Sequence, residues 1–243
     1  MVDLRLGDCL ELMKGIPDGS VDMILCDLPY GTTRNKWDSV IPLDKLWEQY
    51  KRVCKENAAI VLNSDMPFTA MLVSSNLPMF RYELVWCKEQ GSDFLNANRK
   101  PMKAHETIEV FYKKLPTYNK QMWQSTPYKA RSGEHKSENW GKFSVGFHTD
   151  CKDGKRNPTT ILRFKRDKGL HPTQKPVALL EYLIRTYTNE GETVLDNCMG
   201  SGSTGVACVN TNRQFIGIEL DDGYFNIAKK RIKEAQAQSR IKT

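Results

Sequence analysis

The stretch that most restricts the fold of this chain is Gly200-Ser201-Gly202-Ser203-Thr204-Gly205. It lies between the β-prone run Thr193-Val194-Leu195-Asp196 and a helical run through Val206 and Val209. A glycine-rich turn that joins a strand to a helix is the start of a β-α-β unit, in which the backbone passes close under a ligand. A further strand at 214–218 ends at Glu219, where an acid can bond two ribose hydroxyls. The same alternation recurs upstream. Strands are expected at 4–6, 21–26, 58–62, 82–87 and 107–112, and helices at 9–15, 44–56, 67–75, 177–187 and 221–237. Alternating β and α elements imply a mostly parallel sheet covered by helices.

By itself the glycine turn reads as a dinucleotide fingerprint, but two features weigh against a dehydrogenase. Asp196 would sit at the strand tip, where a carboxylate disfavours a pyrophosphate and suits the α-ammonium of a methionine moiety. A dehydrogenase also has no use for the turn at 27–30 or for the basic segment described below. A P-loop is excluded because no Gly-Lys-Ser/Thr follows.

Asp27-Leu28-Pro29-Tyr30 closes the buried-strand run Val21-Asp22-Met23-Ile24-Leu25-Cys26. It brings together a carboxylate, a carbonyl held by a rigid ring and an aromatic face. The first two can accept both hydrogens of an exocyclic amine, and the ring can stack on a flat heterocycle.

Charge is segregated. Residues 113–175 hold 15 Lys+Arg against 5 Asp+Glu, so the net +7 is made of +10 there and −3 elsewhere. From 113 to 160 the chain has many Pro and Gly and interleaves basic residues with Tyr118, Trp123, Tyr128, Trp140 and Phe143. It reads as an irregular insertion suited to phosphate contact and base stacking. The polar stretch 31–38, with Arg34 and Lys36, reads as a loop beside the site. The seven cysteines are odd in number and contain no Cys-x-x-Cys pair, so neither disulfides nor a zinc site is expected. His105-Glu106 has no second ligand pair at metal spacing. No apolar stretch nears the roughly 18 residues of a membrane span. The acidic start Met1-Val2-Asp3 has no signal-like core, which reads as a cytoplasmic protein.

These parts resemble the DNA amino-methyltransferases, which move a methyl group from S-adenosylmethionine to adenine N6 or cytosine N4. Asp27-Leu28-Pro29-Tyr30 is similar to their Asp-Pro-Pro-Tyr signature, with Leu28 as the departure. Leu195-Asp196 with Gly200, Ser201, Gly202 and Ser203 resembles their cofactor loop. Glu219, followed by Leu220, resembles the acid on the adenosyl ribose. Gly7-Asp8-Cys9 resembles the element that meets the cofactor adenine. His171-Pro172-Thr173-Gln174-Lys175-Pro176 resembles the element beside the methionine carboxylate, where Thr173 and Lys175 supply a hydroxyl and a cation. The catalytic turn precedes the insertion and the cofactor loop comes last, the circularly permuted order of the beta group.

The resemblance implies an α/β, Rossmann-like methyltransferase fold: a seven-stranded mostly parallel sheet with helices on both faces. It places the catalytic half at 1–112, a target-recognition insertion at 113–165 and the cofactor half at 166–243. It also places the strand at Leu4 beside the strand at Phe215, with the chain ends close together. Asp27, Pro29 and Tyr30 are then catalytic, with Asp27 also near the cofactor. Arg34, Lys36, Lys129, Arg131 and Lys136 are candidate contacts to double-stranded DNA. Members of this group often pair as homodimers and often serve restriction-modification systems. An Asp-led motif leans to adenine N6 over cytosine N4. The rival readings are methylation of RNA or of a protein glutamine, and a DNA-binding regulator that has lost activity.

Overall fold

The computed structural model describes residues 1–31, 38–128, 152–167 and 174–241. The expectations at Arg34, Lys36, Lys129, Arg131, Lys136 and Thr173 lie outside the described residues.

Along the chain come β1 (Val2–Leu6), α1 (Cys9–Met13), β2 (Val21–Asp27), α2 (Leu43–Val53), β3 (Cys54–Ser64) and α3 (Phe68–Ser75). Then follow β4 (Phe80–Ser92), β5 (Lys103–Phe111), β6 (Trp123–Gln124), β7 (Lys155–Arg156) and β8 (Ile161–Arg163). The last elements are α4 (Val177–Tyr187), β9 (Thr193–Asp196), α5 (Ser203–Asn210), β10 (Gln214–Glu219) and α6 (Asp222–Ile241). Eight strands form one sheet in the order β1-β10-β9-β2-β3-β5-β4-β8. Every neighbouring pair is parallel except those of β5, which runs against both β3 and β4.

Parallel strands read as unbroken apolar runs because both faces are covered. In β2, Met23 and Leu25 point to one core with Leu179 and Leu183 of α4, Ala207 of α5 and Ile232 of α6. Ile24 and Cys26 point the other way, to Met13 of α1, Trp47 and Tyr50 of α2 and Phe68 of α3. Each fully buried Leu or Ile in these layers contributes about 1.5–3 kcal/mol relative to exposure. In α4 such residues recur at 179, 180, 183 and 184, the helical period of one inward stripe. A charge at Leu183 would break that layer.

The strand at Leu4 does lie beside the strand at Phe215. Val2 is paired with Phe215 and Leu4 with Gly217. Met1 and Arg240 line one shallow pocket, so the chain ends are neighbours. The sheet has one strand more than the seven expected, because Ile161–Arg163 adds to β4 at the edge. Three residues with one buried side chain are too short a run to register as a strand in sequence. The helix expected over 44–56 ends at Val53, since Cys54 turns extended and starts β3 at once. β4 and β5 run past their expected limits as a hairpin whose polar outer half carries no apolar pattern.

Residues Lys120–Thr159 make a separate compact unit, narrower than the expected insertion at 113–165. Its described part is a two-residue antiparallel ladder, Trp123 with Arg156 and Gln124 with Lys155. The Arg156 guanidinium lies 4.2 Å from the centre of the Tyr128 ring, and the Trp123 indole N–H donates to the Asn157 carbonyl at 3.1 Å. No helix among the described residues is long and apolar enough to cross a membrane.

Candidate active site

In an open sheet the ligand crevice lies beyond the carboxyl ends of the strands, where the strand order turns back on itself. Here that point is the β9–β2 contact, with Met23 beside Val194 and Ile24 beside Leu195. From it the chain order runs β9, β10, β1 to one side and β2, β3 to the other. Asp27 and Asp196 end these two adjacent strands, so residues far apart in sequence stand at one crevice.

Asp27 is held from two sides. The Tyr30 hydroxyl donates to its Oδ1 at 2.7 Å, and the Lys175 ammonium donates to its Oδ2 at 2.6 Å. Lys175 also pairs with Glu106 Oε2 at 3.2 Å, and Lys88 pairs with Glu106 Oε1. Two carboxylates and two ammonium groups thus form a neutral cluster under the turn. Burial disfavours the charge on Lys175, but Asp27 and Glu106 outweigh it and raise its pKa. Burial likewise works against the Glu106 carboxylate, and Lys175 and Lys88 outweigh it, leaving its pKa below the ordinary value. Burial, then the neighbouring Asp27 charge, pushes the Tyr30 hydroxyl well up, so it stays a donor.

Phe68 stacks against the Tyr30 ring, with centroids 5.3 Å apart, and the Lys175 ammonium lies 5.9 Å from the ring centre. Pro29 is half-buried, and Leu28 packs into the core beside α1 and α2. The departure at Leu28 therefore serves as an apolar anchor for the turn.

On the cofactor side, burial raises Asp196 to about pKa 7, against bonds from the Thr204 side chain and the Cys198 N–H that lower it. Glu219 Oε2 accepts from the Gly200 N–H at 2.8 Å, and Oε1 accepts from the Asp221 N–H at 2.9 Å. Leu220 beside it is exposed. Asp8 caps α1 through Oδ1, accepting from Leu10 and Glu11 N–H at 2.8 and 3.3 Å. Cys9 is half-buried and its thiol pKa is lowered by a bond with the Cys198 thiol. Gly7, before them, donates to the Glu219 carbonyl at 2.8 Å.

The three loop glycines do different work. Gly200 takes φ +51° with open space where a side chain would be, the condition for a ligand to approach the backbone. A Cβ on Gly202 would meet Ala228 of α6 at 2.8 Å, and one on Gly205 would meet Ile232 at 2.3 Å. Those two glycines let helices pack. The Ser201 and Ser203 hydroxyls, expected at the cofactor, accept from Arg231 Nη1 at 2.9 and 3.2 Å. Lys175, expected at a cofactor carboxylate, has its ammonium on Asp27 and Glu106 instead. No group of three or more His, Cys, Asp or Glu suited to a metal occurs among the described residues.

Three residues at the site carry no local signal in the sequence. His105 and Glu106 are adjacent, yet strand alternation separates them: His105 is exposed and Glu106 faces the cluster. Tyr50 reads as a core aromatic, but its hydroxyl donates to Asn197 Oδ1 at 2.6 Å and ties α2 to the cofactor loop. Arg231 lies on α6 among other basic residues, and no local signal marks its bonds to Ser201 and Ser203.

The family model for DNA methylases of the N6/N4 type matches residues 21–230. The chain belongs to this family. Among the relatives of this DNA methylase, the type II methyltransferase M.HpaI of Haemophilus parainfluenzae is 29% identical over 95% of this chain and 74% of its own length. The DNA adenine methyltransferase YhdJ of Escherichia coli K12 is 28% identical over 96% of this chain and 83% of its own. M.BglII of Bacillus subtilis is 29% identical, and the alignment spans 91% of this chain and 66% of that protein. Among solved structures, the M1.HpyAVI–SAM complex has a TM-score of 0.65, 25% identity and coverage of 96% and 99% of the two chains. The cytosine-N4-specific PvuII methyltransferase shares the fold at TM-score 0.69 with 14% identity, covering 98% and 92%. The Rossmann-like methyltransferase architecture is thereby shown.

Proposed function

We propose that this DNA methylase transfers the methyl group of S-adenosylmethionine to adenine N6 in duplex DNA. One observation carries the reading: Asp27 and Asp196 stand at the carboxyl ends of adjacent parallel strands. An amine-gripping carboxylate is thus placed next to one suited to an ammonium group.

The residues present fit that cofactor. Gly200 leaves open space at the backbone, and Asp196 is a buried carboxylate set to ionise against a cation. Glu219 ends the next strand and the exposed Leu220 follows it, where a ribose and a purine would rest, with Asp8 and Cys9 at the start of α1, just after the strand paired to it. Thr173 completes the set in this reading, and Ser201 and Ser203 hold the loop to Arg231. When bound, S-adenosylmethionine supplies an electrophilic sulfonium methyl.

An exocyclic ring amine is a poor nucleophile because its lone pair is delocalised. Each Asp27 oxygen keeps a second lone pair after meeting Tyr30 or Lys175, so the carboxylate can still accept one amine hydrogen. The Pro29 carbonyl accepts the other. The nitrogen is drawn toward a tetrahedral state while the Tyr30 ring fixes the plane of the base. Lys175 and Tyr30 keep Asp27 in place during this step. A base inside a duplex is out of reach, so it must be flipped out. Basic residues of the 113–165 segment, together with Arg34 and Lys36, are proposed to hold the DNA.

Adenine is favoured by the Asp-led turn, with cytosine N4 as the second reading. Purified protein, labelled S-adenosylmethionine and mixed genomic DNA, followed by nucleoside analysis, separate them. N6-methyladenine is the expected product. N4-methylcytosine would overturn the base assignment alone, and label in RNA but not DNA would overturn the substrate.

A further inference from the structure

We propose that the tip of the β4–β5 hairpin, Phe94-Leu95, is a wedge that enters the base stack of the DNA and fills the gap left by the flipped nucleotide. β4 runs parallel to β3, and β5 returns antiparallel beside it. The hairpin therefore leaves the sheet at the edge where Asp27 sits. Its root carries the Lys88–Glu106 pair of the catalytic cluster. From Lys88 to Phe94 the strand can reach about 20 Å at most, at roughly 3.3 Å per residue.

The tip is built rather than loose. Ser92 pairs with Lys103, and its hydroxyl donates to the Lys103 carbonyl at 3.2 Å. Gly91 lets the strands close, since a Cβ there would meet Met102 Cβ at 2.8 Å. Asp93 takes the left-handed conformation at φ +69°, accepts from Asn96 Nδ2 at 2.6 Å and pairs with Lys100 at 2.5 Å. A single 3-10 turn over Phe94–Asn96 follows. This frame turns outward the two side chains that a globular protein would sooner bury: Phe94 is 71% and Leu95 83% exposed.

Arg99, Lys100 and Lys103 accompany them; Lys100 pairs with Asp93 and Lys103 with Asp65, so the tip keeps a local charge of +1, of the sign that suits a polyanion. Apolar Phe and Leu wedges flanked by cations are a means of unstacking a base step, and a flipping enzyme must offset the loss of stacking. A second copy of the chain is a poorer occupant, because cations at the rim would then face cations.

The proposal rests on DNA as the substrate. Its test uses the full chain with Phe94→Ala/Leu95→Ala, on duplexes carrying a site mapped from DNA methylated by the wild type. One duplex is fully paired, and in another the base opposite the target is abasic. The double variant should lose about tenfold or more in transfer to the paired duplex yet come within about threefold of the wild type on the abasic one, where no stacking gap needs filling. A fluorescent analogue of the target base should brighten with the wild type and not with the variant. Cofactor affinity and sedimentation should be unchanged. Equal loss on both duplexes, no loss on either, or an altered oligomeric state would overturn the wedge while leaving the methyltransferase reading intact. Failure of the wild type to methylate any DNA would overturn that reading and the wedge with it.

Discussion

Lys175 Nζ donates to Asp27 Oδ2 across 2.6 Å and 148 residues of chain, and Glu106 lies 3.2 Å from the same ammonium. The Asp27 carboxylate at the end of β2 is thus oriented by a buried cation, which is itself balanced by a second carboxylate. Breaking such a buried pair by removing one partner leaves an uncompensated charge and costs roughly 3–5 kcal/mol. The cluster is for that reason both a structural tie and a means of fixing the position of Asp27.

Asp27→Ala should abolish methyl transfer, by on the order of a thousandfold or more, while isothermal titration still detects cofactor binding. Loss of binding together with transfer would count against a catalytic role for this residue.

Glu106→Gln changes the cluster from neutral to +1 and leaves Lys175 to Asp27 alone. The kcat should fall about tenfold through altered placement of Asp27. The folded pKa of Glu106 lies below its ordinary value, so its contribution to stability is present above about pH 4.5 and lost as pH falls through the folded value. Acid unfolding of the Gln variant should lack that component. An unchanged kcat would reduce Glu106 to a purely structural residue.

Asp196 has a folded pKa of about 7, raised by burial above 3.8. In the free protein its contribution to stability is greatest at low pH and declines as pH rises from about 4 to 7. An ammonium group binding there favours the ionised form, so cofactor affinity should rise with pH up to about 7, at a slope approaching tenfold per unit, and level off above. Asp196→Asn should bind more weakly and show no such rise between pH 5 and 7, as read by equilibrium dialysis, with pH values here about those of the shift.

Gly202→Ala places a methyl group 2.8 Å from Ala228 Cβ and 2.9 Å from its Cα, at φ +80°. Neither neighbour can swing aside, so destabilisation of about 2 kcal/mol is expected, a fall in Tm of roughly 4–8 °C. Gly200→Ala, with open space around it, should cost less in Tm and more in cofactor affinity. The opposite ranking would reverse the roles assigned to the two glycines.

The local elements were legible because their patterns are short-range. The 193–196 strand, the glycine turn and the 177–187 helix occupy the residues that periodicity assigns, and the permuted motif order already put β1 beside β10. The positions of Asp27, Asp196 and Glu219 were also readable, since each acid closes an apolar strand. The tertiary structure alone decided how these parts meet. Glu106 and Lys88 join Lys175 only because the reversed strand β5 brings its polar root back to the carboxyl edge of the sheet. Arg231 reaches Ser201 and Ser203 only because α6 packs against Gly202 and Gly205. Local sequence sets the backbone period and the residue type at a strand tip. Contacts between polar groups 18 to 148 residues apart depend on strand order and helix packing, which no local pattern encodes.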